Sequence, residues 1–202
     1  MLSERRATKH RLVNFRARHG RLPCLVHCRN RKGELRRFFV RRCTKADLAA
    51  ILALQEDVMR QLPREDIFVV TTEEEFLETL ENDYCIAAFS GRRMVMFSNM
   101  ILGRPTPRHL GFQLGYSEDR IVQSVIYDTT FVAPDVRGFG LQRLAAWFKD
   151  REARSIGAAE AIATVSPMNP ASYRNIRASG FRVDARREMY GGLDRLVMKK
   201  DF

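Results

Sequence analysis

The sequence predicts a single α/β (α+β) domain in which strands alternate with about four helices along a chain of 202 residues. Two observations carry this prediction. Short apolar runs of strand length alternate with longer runs in which apolar residues recur every three or four positions. Ser90-Gly91 and Gly191-Gly192 separate consecutive strand-like runs, as hairpin turns do. A chain of this length can bury about 70% of its unfolded surface in one core.

The first half of the sequence predicts a strand, two helices and a hairpin. Thr44 and Thr72 stand where N-caps are expected, and three glutamates follow Thr72 in a first turn that favours acidic side chains. Residues 103–119 contain Pro105 and Pro107 and are expected to form a loop long enough to cover a substrate. The elements expected before this loop are a strand over 36–42, helices over 45–61 and from 72 onward, and strands over 85–89 and 94–101.

The second half predicts a strand and helix repeated twice and then a final hairpin. Asn169 is a good N-cap with Pro170 at the first helical position, and Gly180 suits the end of that helix. The expected elements are a strand over 124–132, a helix over 141–156, a strand over 159–165, the helix after Asn169, and strands over 181–189 and 193–198.

Residues 137–142, Arg-Gly-Phe-Gly-Leu-Gln, join the longest predicted strand to the helix that follows. Gly138 and Gly140 let the backbone approach a ligand without interference from a Cβ atom. The helix start offers free N–H groups and the positive end of the helix dipole. We therefore expect this turn to hold a phosphate or pyrophosphate group.

Two common phosphate loops do not match this turn. In this chain no glycine is followed by Lys and then Ser or Thr, as the ATP-binding loop requires, and Arg143 stands where the dinucleotide fingerprint needs a small residue. The stretch resembles the turn of the GCN5-related N-acetyltransferases, the GNAT superfamily. The signature of that turn is Arg or Gln, two residues, Gly, one residue, then Gly or Ala. Gln142 departs from it at the last position.

Asn169, Ser172 and the pair Gly180-Phe181 resemble a second sequence element of the same superfamily in order and spacing. The resemblance as a whole covers residues 38–202. It implies a central mixed, mostly antiparallel sheet, and acetyl-CoA as co-substrate in acetyl transfer to a primary amine. It also implies that the backbone near Phe131 and Val132 polarises the acetyl carbonyl. The other residues that it assigns to the cofactor are Arg137, Gly138, Phe139, Gly140, Leu141, Gln142, Asn169 and Ser172.

The acetyl-transfer chemistry needs a base, because an ammonium must lose a proton before it attacks a thioester. Asp128 is the one carboxylate on the central strand, and strand alternation places residues 128, 130 and 132 on a common face. In the family it resembles, acids near this point often serve as the base. The alternative is that Asp128 pairs with a basic neighbour or holds a cationic substrate.

The thiolate-protonating Tyr that many family members carry seven residues after the Asn is replaced by Ile176. Tyr173 lies on a neighbouring face of the same helix, where it either reaches the same region or packs at the junction of helix and sheet.

The basic residues are concentrated at the N-terminus. Residues 1–42 contain 14 Lys or Arg but only Glu4 and Glu34 as acids, a net charge of +12, whereas the other 160 residues carry −1. We divide the chain into a basic extension, 1–37, and a GNAT-like domain, 38–202. Three interpretations of the extension stay open: a solvated tail, an arm that binds nucleic acid or the ribosome, and a mitochondrial-type targeting segment.

The four cysteines are too few for a disulfide scaffold, which favours a reducing, cytoplasmic location. Cys24, His27, Cys28 and Cys43 suggest a zinc set, but strand residues are the default interpretation and we expect no metal. We also expect no membrane partner, because no run approaches the ~18 apolar residues of a membrane span.

The acceptor is expected to be a small-molecule or peptide amine, selected by the 103–119 loop. Two alternatives remain in view. The first is an inactive acetyltransferase fold that serves as a binding protein. The second is a modifier of a macromolecule that docks on nucleic acid or the ribosome through residues 1–37. Turnover of the cofactor separates the first alternative from an enzyme, and salt-dependent polyanion binding is the mark of an arm that docks.

Overall fold

The computed structural model describes residues 15–17 and 21–202. Nine strands in this part of the chain form one sheet in the order β1-β2-β3-β4-β5-β6-β7-β9-β8. All neighbouring strands are antiparallel except β6 and β7, which are parallel. The strands are β1 (Phe15–Ala17), β2 (Cys24–Arg29), β3 (Leu35–Arg42), β4 (Tyr84–Ser90), β5 (Arg93–Ile101), β6 (Ser124–Val132), β7 (Glu160–Val165), β8 (Arg182–Met189) and β9 (Leu193–Asp201).

Four longer helices and two short ones accompany this sheet in the described residues, which confirms the predicted fold class. They are α1 (Leu48–Met59), α2 (Glu73–Asn82), α3 (Leu110–Gln113), α4 (Glu118–Val122), α5 (Leu141–Ser155) and α6 (Pro170–Ala178). Among the helices that the structure describes, none combines the length and the apolar character needed to cross a membrane.

Helices α2 and α5 lie on opposite faces of the sheet. Thr130 and Phe131 are adjacent on β6, and side chains of adjacent strand residues point to opposite faces. Phe131 packs against Phe76 of α2 with ring centroids 6.4 Å apart, whereas the hydroxyl of Thr130 lies 3.5 Å from Nζ of Lys149 on α5. We call these two sides the α2 face and the α5 face.

The parallel strands β6 and β7 pair over only three residues each. Their register ends at Ile126 opposite Ile162, although β6 continues to Val132 and β7 to Val165. Beyond this point β6 remains paired with β5 on its other side. The two strands therefore part toward their C-terminal ends and leave an opening between them.

The helix caps follow the local sequence. The hydroxyl of Thr72 accepts the N–H of Glu75, and the Glu75 carboxylate accepts the N–H of Thr72, so the two residues form a capping box. The side chain of Asn169 accepts the N–H of Ser172 over 3.0 Å. Gly180 follows α6 with φ of +96°, a conformation that favours glycine.

Residues 24–37 of the N-terminal extension are not a solvated tail, because they form β2, a turn and the start of β3. Strand β2 pairs with β3 along its whole length, and β3 begins at Leu35, so the expected boundary at residue 37 falls inside a strand. Val26 and Cys28 are fully buried, whereas Leu25 between Cys24 and Val26 is exposed. This segment is an added edge of the sheet. Residues 1–14 and 18–20 lie outside the described residues.

The alternation of β2 also separates the residues of the zinc alternative. Cys24 and Cys28 point into the core, and His27 points to the solvent from the other face. Burial raises the pKa of the Cys28 thiol to about 12. Cys24 and Cys28 are core residues of β2.

The segment 103–119 was expected to be a loop, but it contains α3 and the start of α4. His109 is fully buried and caps α3, because its Nδ1 accepts the N–H of Gly111 and its Nε2 faces the carbonyl of Ser124 at 3.3 Å. Burial lowers the pKa of His109, which keeps the ring neutral. Arg104 also ties the segment to Glu78 and Asp83. This segment is a docked part of the fold.

Candidate active site

The glycine turn at the start of α5 has the backbone conformation that a phosphate site requires. Gly138 and Gly140 have φ of +88° and +78°, and Gly140 is the N-cap of α5, with no side-chain cap among the described residues. A Cβ at Gly138 would meet no described atom within 4 Å, so backbone conformation rather than crowding favours glycine there. In the described part of the chain, no side chain caps the first-turn N–H groups of this 15-residue helix.

Apolar side chains on both sides of Gly140 anchor this turn. Phe139 and Leu141 are buried, and the Phe139 ring packs edge-on against Phe38 of β3 with centroids 6.0 Å apart. The turn is therefore held by the core while its glycines face outward. Rigid donors of this kind need little reorganisation when they meet an anion.

Gln142, the departure from the family signature, connects α5 to α6. Its Nε2 donates to Oγ of Ser172 over 3.2 Å, and its Oε1 accepts from Nδ2 of Asn175 over 2.7 Å. The start of α6, with Asn169 and Ser172, therefore lies beside the glycine turn. Two segments that the sequence singled out separately thus meet at one place.

A β-bulge interrupts the central strand at the predicted base. Tyr127 pairs with Met100 and Thr130 pairs with Ser98, so Asp128 and Thr129 together stand opposite Asn99. The extra residue shifts the alternation of side chains by one. Tyr127 and Thr130, three residues apart, consequently both meet Lys149 on the α5 face.

The expectation that residues 128, 130 and 132 share a face is therefore wrong for Asp128. The carboxylate of Asp128 accepts from Nδ2 of Asn99 at 2.9 Å and forms a 3.4 Å ion pair with Arg108. Arg108 donates in turn to the carbonyl of Glu75 on α2 over 2.9 Å. Asp128 thus belongs to the α2 face, with 30% of its side chain exposed.

Lys149 lies behind the bulge on the other face, and it was not among the residues predicted from the sequence. Its ammonium donates to the carbonyl of Asn99 over 3.1 Å and lies 4.7 Å from the centroid of the Tyr127 ring. Its complete burial lowers the pKa of Lys149 to about 7, against a small opposing effect of the Asp128 charge. The available signal was its spacing, four residues from Ala145 and Ala153 on the buried side of α5.

A third polar group lies where β7 meets the β8–β9 hairpin. Tyr190 has φ of +53°, and its hydroxyl lies 2.9 Å from the hydroxyl of Thr164. Although 38% of Tyr190 is exposed, desolvation of its hydroxyl raises the pKa of Tyr190, and the Asp128 charge adds to this rise. Tyr190 was not among the residues predicted from the sequence.

Arg195 of β9 belongs to the same group. Its side chain is buried with its guanidinium 5.8 Å from the centroid of the Tyr190 ring, and Nη1 donates to the carbonyl of Asp194 over 2.9 Å. Nη2 is buried and has no hydrogen-bond partner in the described part of the chain. Burial lowers the pKa of Arg195. Buried donors without a partner are rare in folded proteins, and a ligand group is one explanation for them.

The remaining predicted residues lie beside the opening between β6 and β7. Phe131 is buried and Val132 half-buried, and both follow the point at which the β6–β7 pairing ends. Tyr173 and Ile176 of α6 are partly buried against the core, so Tyr173 has the environment of a packing residue.

No protein-family model matches this chain, and no curated protein matches it in sequence. Solved structures match it in fold. A ribosomal-protein-alanine N-acetyltransferase from Brucella melitensis is 24% identical with a TM-score of 0.62, over 81% of this chain and 99% of that one. An acetyltransferase of the GNAT family from Streptococcus pneumoniae is 19% identical with a TM-score of 0.60, over 81% and 98%.

The yncA structure from Salmonella typhimurium, which contains acetyl-CoA, is 20% identical with a TM-score of 0.60, over 81% of this chain and 93% of that one. The chain therefore has the GNAT superfamily fold. The resemblance first recognised in the glycine turn and the Asn169 helix extends to the fold over 81% of the chain.

Proposed function

We propose that the protein is an N-acetyltransferase that moves the acetyl group of acetyl-CoA to a primary amine. The observation that carries this proposal is the opening between β6 and β7, which parts beyond Ile126 and Ile162, together with the uncapped glycine turn that starts α5. An extended ligand with a phosphate at one end and amide groups along its length fits such a site. Coenzyme A has both features.

The pyrophosphate of the cofactor is assigned to the N–H groups of residues 138–142, where the helix dipole adds to their attraction for an anion. Arg137 stands beside this turn as a further positive charge. Asn169 and Ser172, which the Gln142 contacts bring close, border the pantetheine arm. The arm then follows the opening toward Phe131, Val132 and the bulge.

The chemistry takes place at the bulge. The amine loses its proton to Asp128, directly or through water, and its nitrogen attacks the thioester carbonyl. Backbone N–H groups of β6 near Phe131 and Val132 stabilise the oxyanion. The nitrogen gives its second proton to solvent, and the carbon–sulfur bond breaks to leave the amide and the CoA thiolate. A thiol is much more acidic than an alcohol, so the thiolate is a good leaving group and we expect its departure to depend little on the Tyr that Ile176 replaces.

The environment of Asp128 also supports its second role. The Asp128 carboxylate lies 3.4 Å from Arg108 and is partly exposed, so it can hold the ammonium of an acceptor as well as take its proton. The acceptor approaches from the α2 face, where Asp128, Arg108 and the group of Tyr190 and Arg195 supply charges of both signs. This surface suits a small polar amine or the N-terminus of a peptide.

A single substitution tests the cofactor assignment. Gly140→Asp places both bulk and a negative charge at the proposed pyrophosphate, so calorimetry should show a loss of acetyl-CoA binding in a protein that still melts cooperatively. The matched control is Gly157→Asp, because Gly157 has φ of +74° and lies beyond the other end of α5, about 22 Å away. Equal acetyl-CoA affinity in the two variants would overturn the assignment.

A further inference from the structure

A cavity of about 310 Å³ lies between the β2–β3 turn and the glycine turn of α5. It belongs to neither the opening between β6 and β7 nor the bulge. One wall is the glycine turn, and the other wall comes from the basic segment that the proposed mechanism does not use. The lining residues are Asn30, Arg31, Lys32, Glu34, Asp135, Arg137, Gly138 and Phe139.

Contacts with the segment around Asp135 and Phe139 fix the β2–β3 hairpin in this position. The guanidinium of Arg36 on β3 lies 5.0 Å from the centroid of the Phe139 ring and donates to the carbonyl of Asp135 at 3.5 Å. The turn itself is held by Asn30, whose Oδ1 accepts the N–H groups of Lys32 and Glu34. The wall that carries Arg31 and Lys32 therefore has a defined conformation.

The cavity has an excess of positive charge. Arg31, Lys32 and Arg137 form no ion pair with any carboxylate of the described residues. The two carboxylates in the lining already have partners: Asp135 forms a 2.5 Å ion pair with Arg93, and Glu34 accepts from Nδ2 of Asn30 over 2.6 Å. Three cations and two carboxylates line the cavity, and Asp135 is already paired with Arg93, so the lining keeps a net positive charge.

We propose that this cavity binds the 3′-phosphate of the CoA adenosine, with Arg31 and Lys32 of the β2–β3 turn as its cationic partners. The inference rests on the proposed function, since it places the pyrophosphate at the adjoining glycine turn. A phosphomonoester carries a charge of about −1.5 to −2 at neutral pH, which matches cations that have no internal partner. The β2–β3 hairpin would thereby be part of the cofactor site.

The test compares CoA with dephospho-CoA, which lacks only the 3′-phosphate. Calorimetry should show that the wild-type protein binds CoA about 10-fold more tightly, as two partly exposed ion pairs would produce. The double variant Arg31→Ala/Lys32→Ala should lose this difference and keep its affinity for dephospho-CoA. The control Lys45→Ala/Arg60→Ala removes two exposed cations that lie just outside the two ends of α1, and it should keep the difference.

Equal affinity of the wild-type protein for the two ligands would overturn this inference and leave the acetyltransferase proposal standing. Binding of neither ligand would overturn both. A nucleic-acid role for the same cations has a separate signature. In that case the double variant would lose affinity for a single-stranded oligonucleotide and retain the preference for CoA, which would also overturn the inference.

Discussion

Asn99 fixes Asp128 at the bulge of the central strand, since its Nδ2 donates to the Asp128 carboxylate over 2.9 Å. Its Oδ1 accepts the N–H of Thr129 over 2.9 Å, and thus supplies the partner that the bulge removes from the strand ladder. One side chain therefore stabilises the irregular backbone and orients the proposed base.

Asp128→Asn should lower turnover by about 100-fold or more and leave acetyl-CoA affinity unchanged, because the amide keeps the shape but cannot take a proton. Steady-state kinetics and calorimetry measure the two quantities. A rise in the acceptor KM with unchanged kcat would instead make Asp128 a holder of the ammonium. Full activity would reduce it to a partner of Arg108.

The added strand β2 is predicted to be essential to the fold. Val26→Asp places a carboxylate in the core, since Val26 is fully buried, and should lower the free energy of unfolding by about 3 kcal/mol or more. Leu25→Asp is the matched control on the adjacent, 54% exposed position and should have little effect. Denaturant titration distinguishes them, and two similar curves would show that β2 does not contribute to the core.

Local chemistry explains what the sequence could predict. Thr72 and Asn169 cap their helices with their own side chains, and Gly140 starts α5 with a positive φ, so each signal lies within four residues of the structure that it specifies. The turn and the start of α6 could therefore be found, but the contacts of Gln142 with Ser172 and Asn175 could not, because they depend on how α5 and α6 pack.

Three structural features were not predicted from the sequence, for three different reasons. The bulge adds one residue inside the otherwise regular strand β6, and only the pairing with Asn99 shows it. The alternation of Cys24, Val26 and Cys28 was present, but the surrounding charges favoured a solvated tail. Helices α3 and α4 have four and five residues, which is too short for periodicity to identify.

The burial of Lys149 predicts a dependence of stability on pH. Its pKa is about 7 in the folded protein and about 10.5 in the unfolded chain, so between these values only the unfolded chain binds the proton. The free energy of unfolding should therefore rise with pH across this window. The stability gained from a neutral Lys149 is fully present above pH 10.5 and is lost as the pH falls to the folded-state pKa of about 7.

Lys149→Met removes the titration at similar length, and the difference in unfolding free energy between the wild-type protein and this variant isolates it. The difference should shift in favour of the wild-type protein from pH 7 to pH 10 in urea titrations. The buried thiols of Cys43 and Cys85, whose pKa values burial raises, act in the opposite direction above about pH 9 but are common to both proteins. Parallel pH curves would show that Lys149 stays charged.

Gln142→Ala restores the small residue of the family signature and removes two hydrogen bonds to α6. We expect a loss of about 1 to 2 kcal/mol in unfolding free energy and an acetyl-CoA affinity within about threefold of the wild-type value. The reason is that backbone N–H groups, which the substitution keeps, are assigned to the pyrophosphate. A larger loss of affinity in a stable variant would mean that the Gln142 side chain itself contacts the cofactor.

Arg195 should matter more for acceptor turnover than for stability. Its buried Nη2 has no partner in the described residues, so the folded state gains little from the charge, and Arg195→Met should change the unfolding free energy by no more than about 1 kcal/mol. Turnover with an amine acceptor should fall while acetyl-CoA affinity stays constant, because Arg195 lies with Tyr190 on the acceptor side. The control Arg186→Met removes an exposed arginine that pairs with Asp194, and it should leave turnover unchanged. If Arg195→Met is strongly destabilised and the folded fraction retains full turnover, Arg195 is a structural residue of the β8–β9 hairpin.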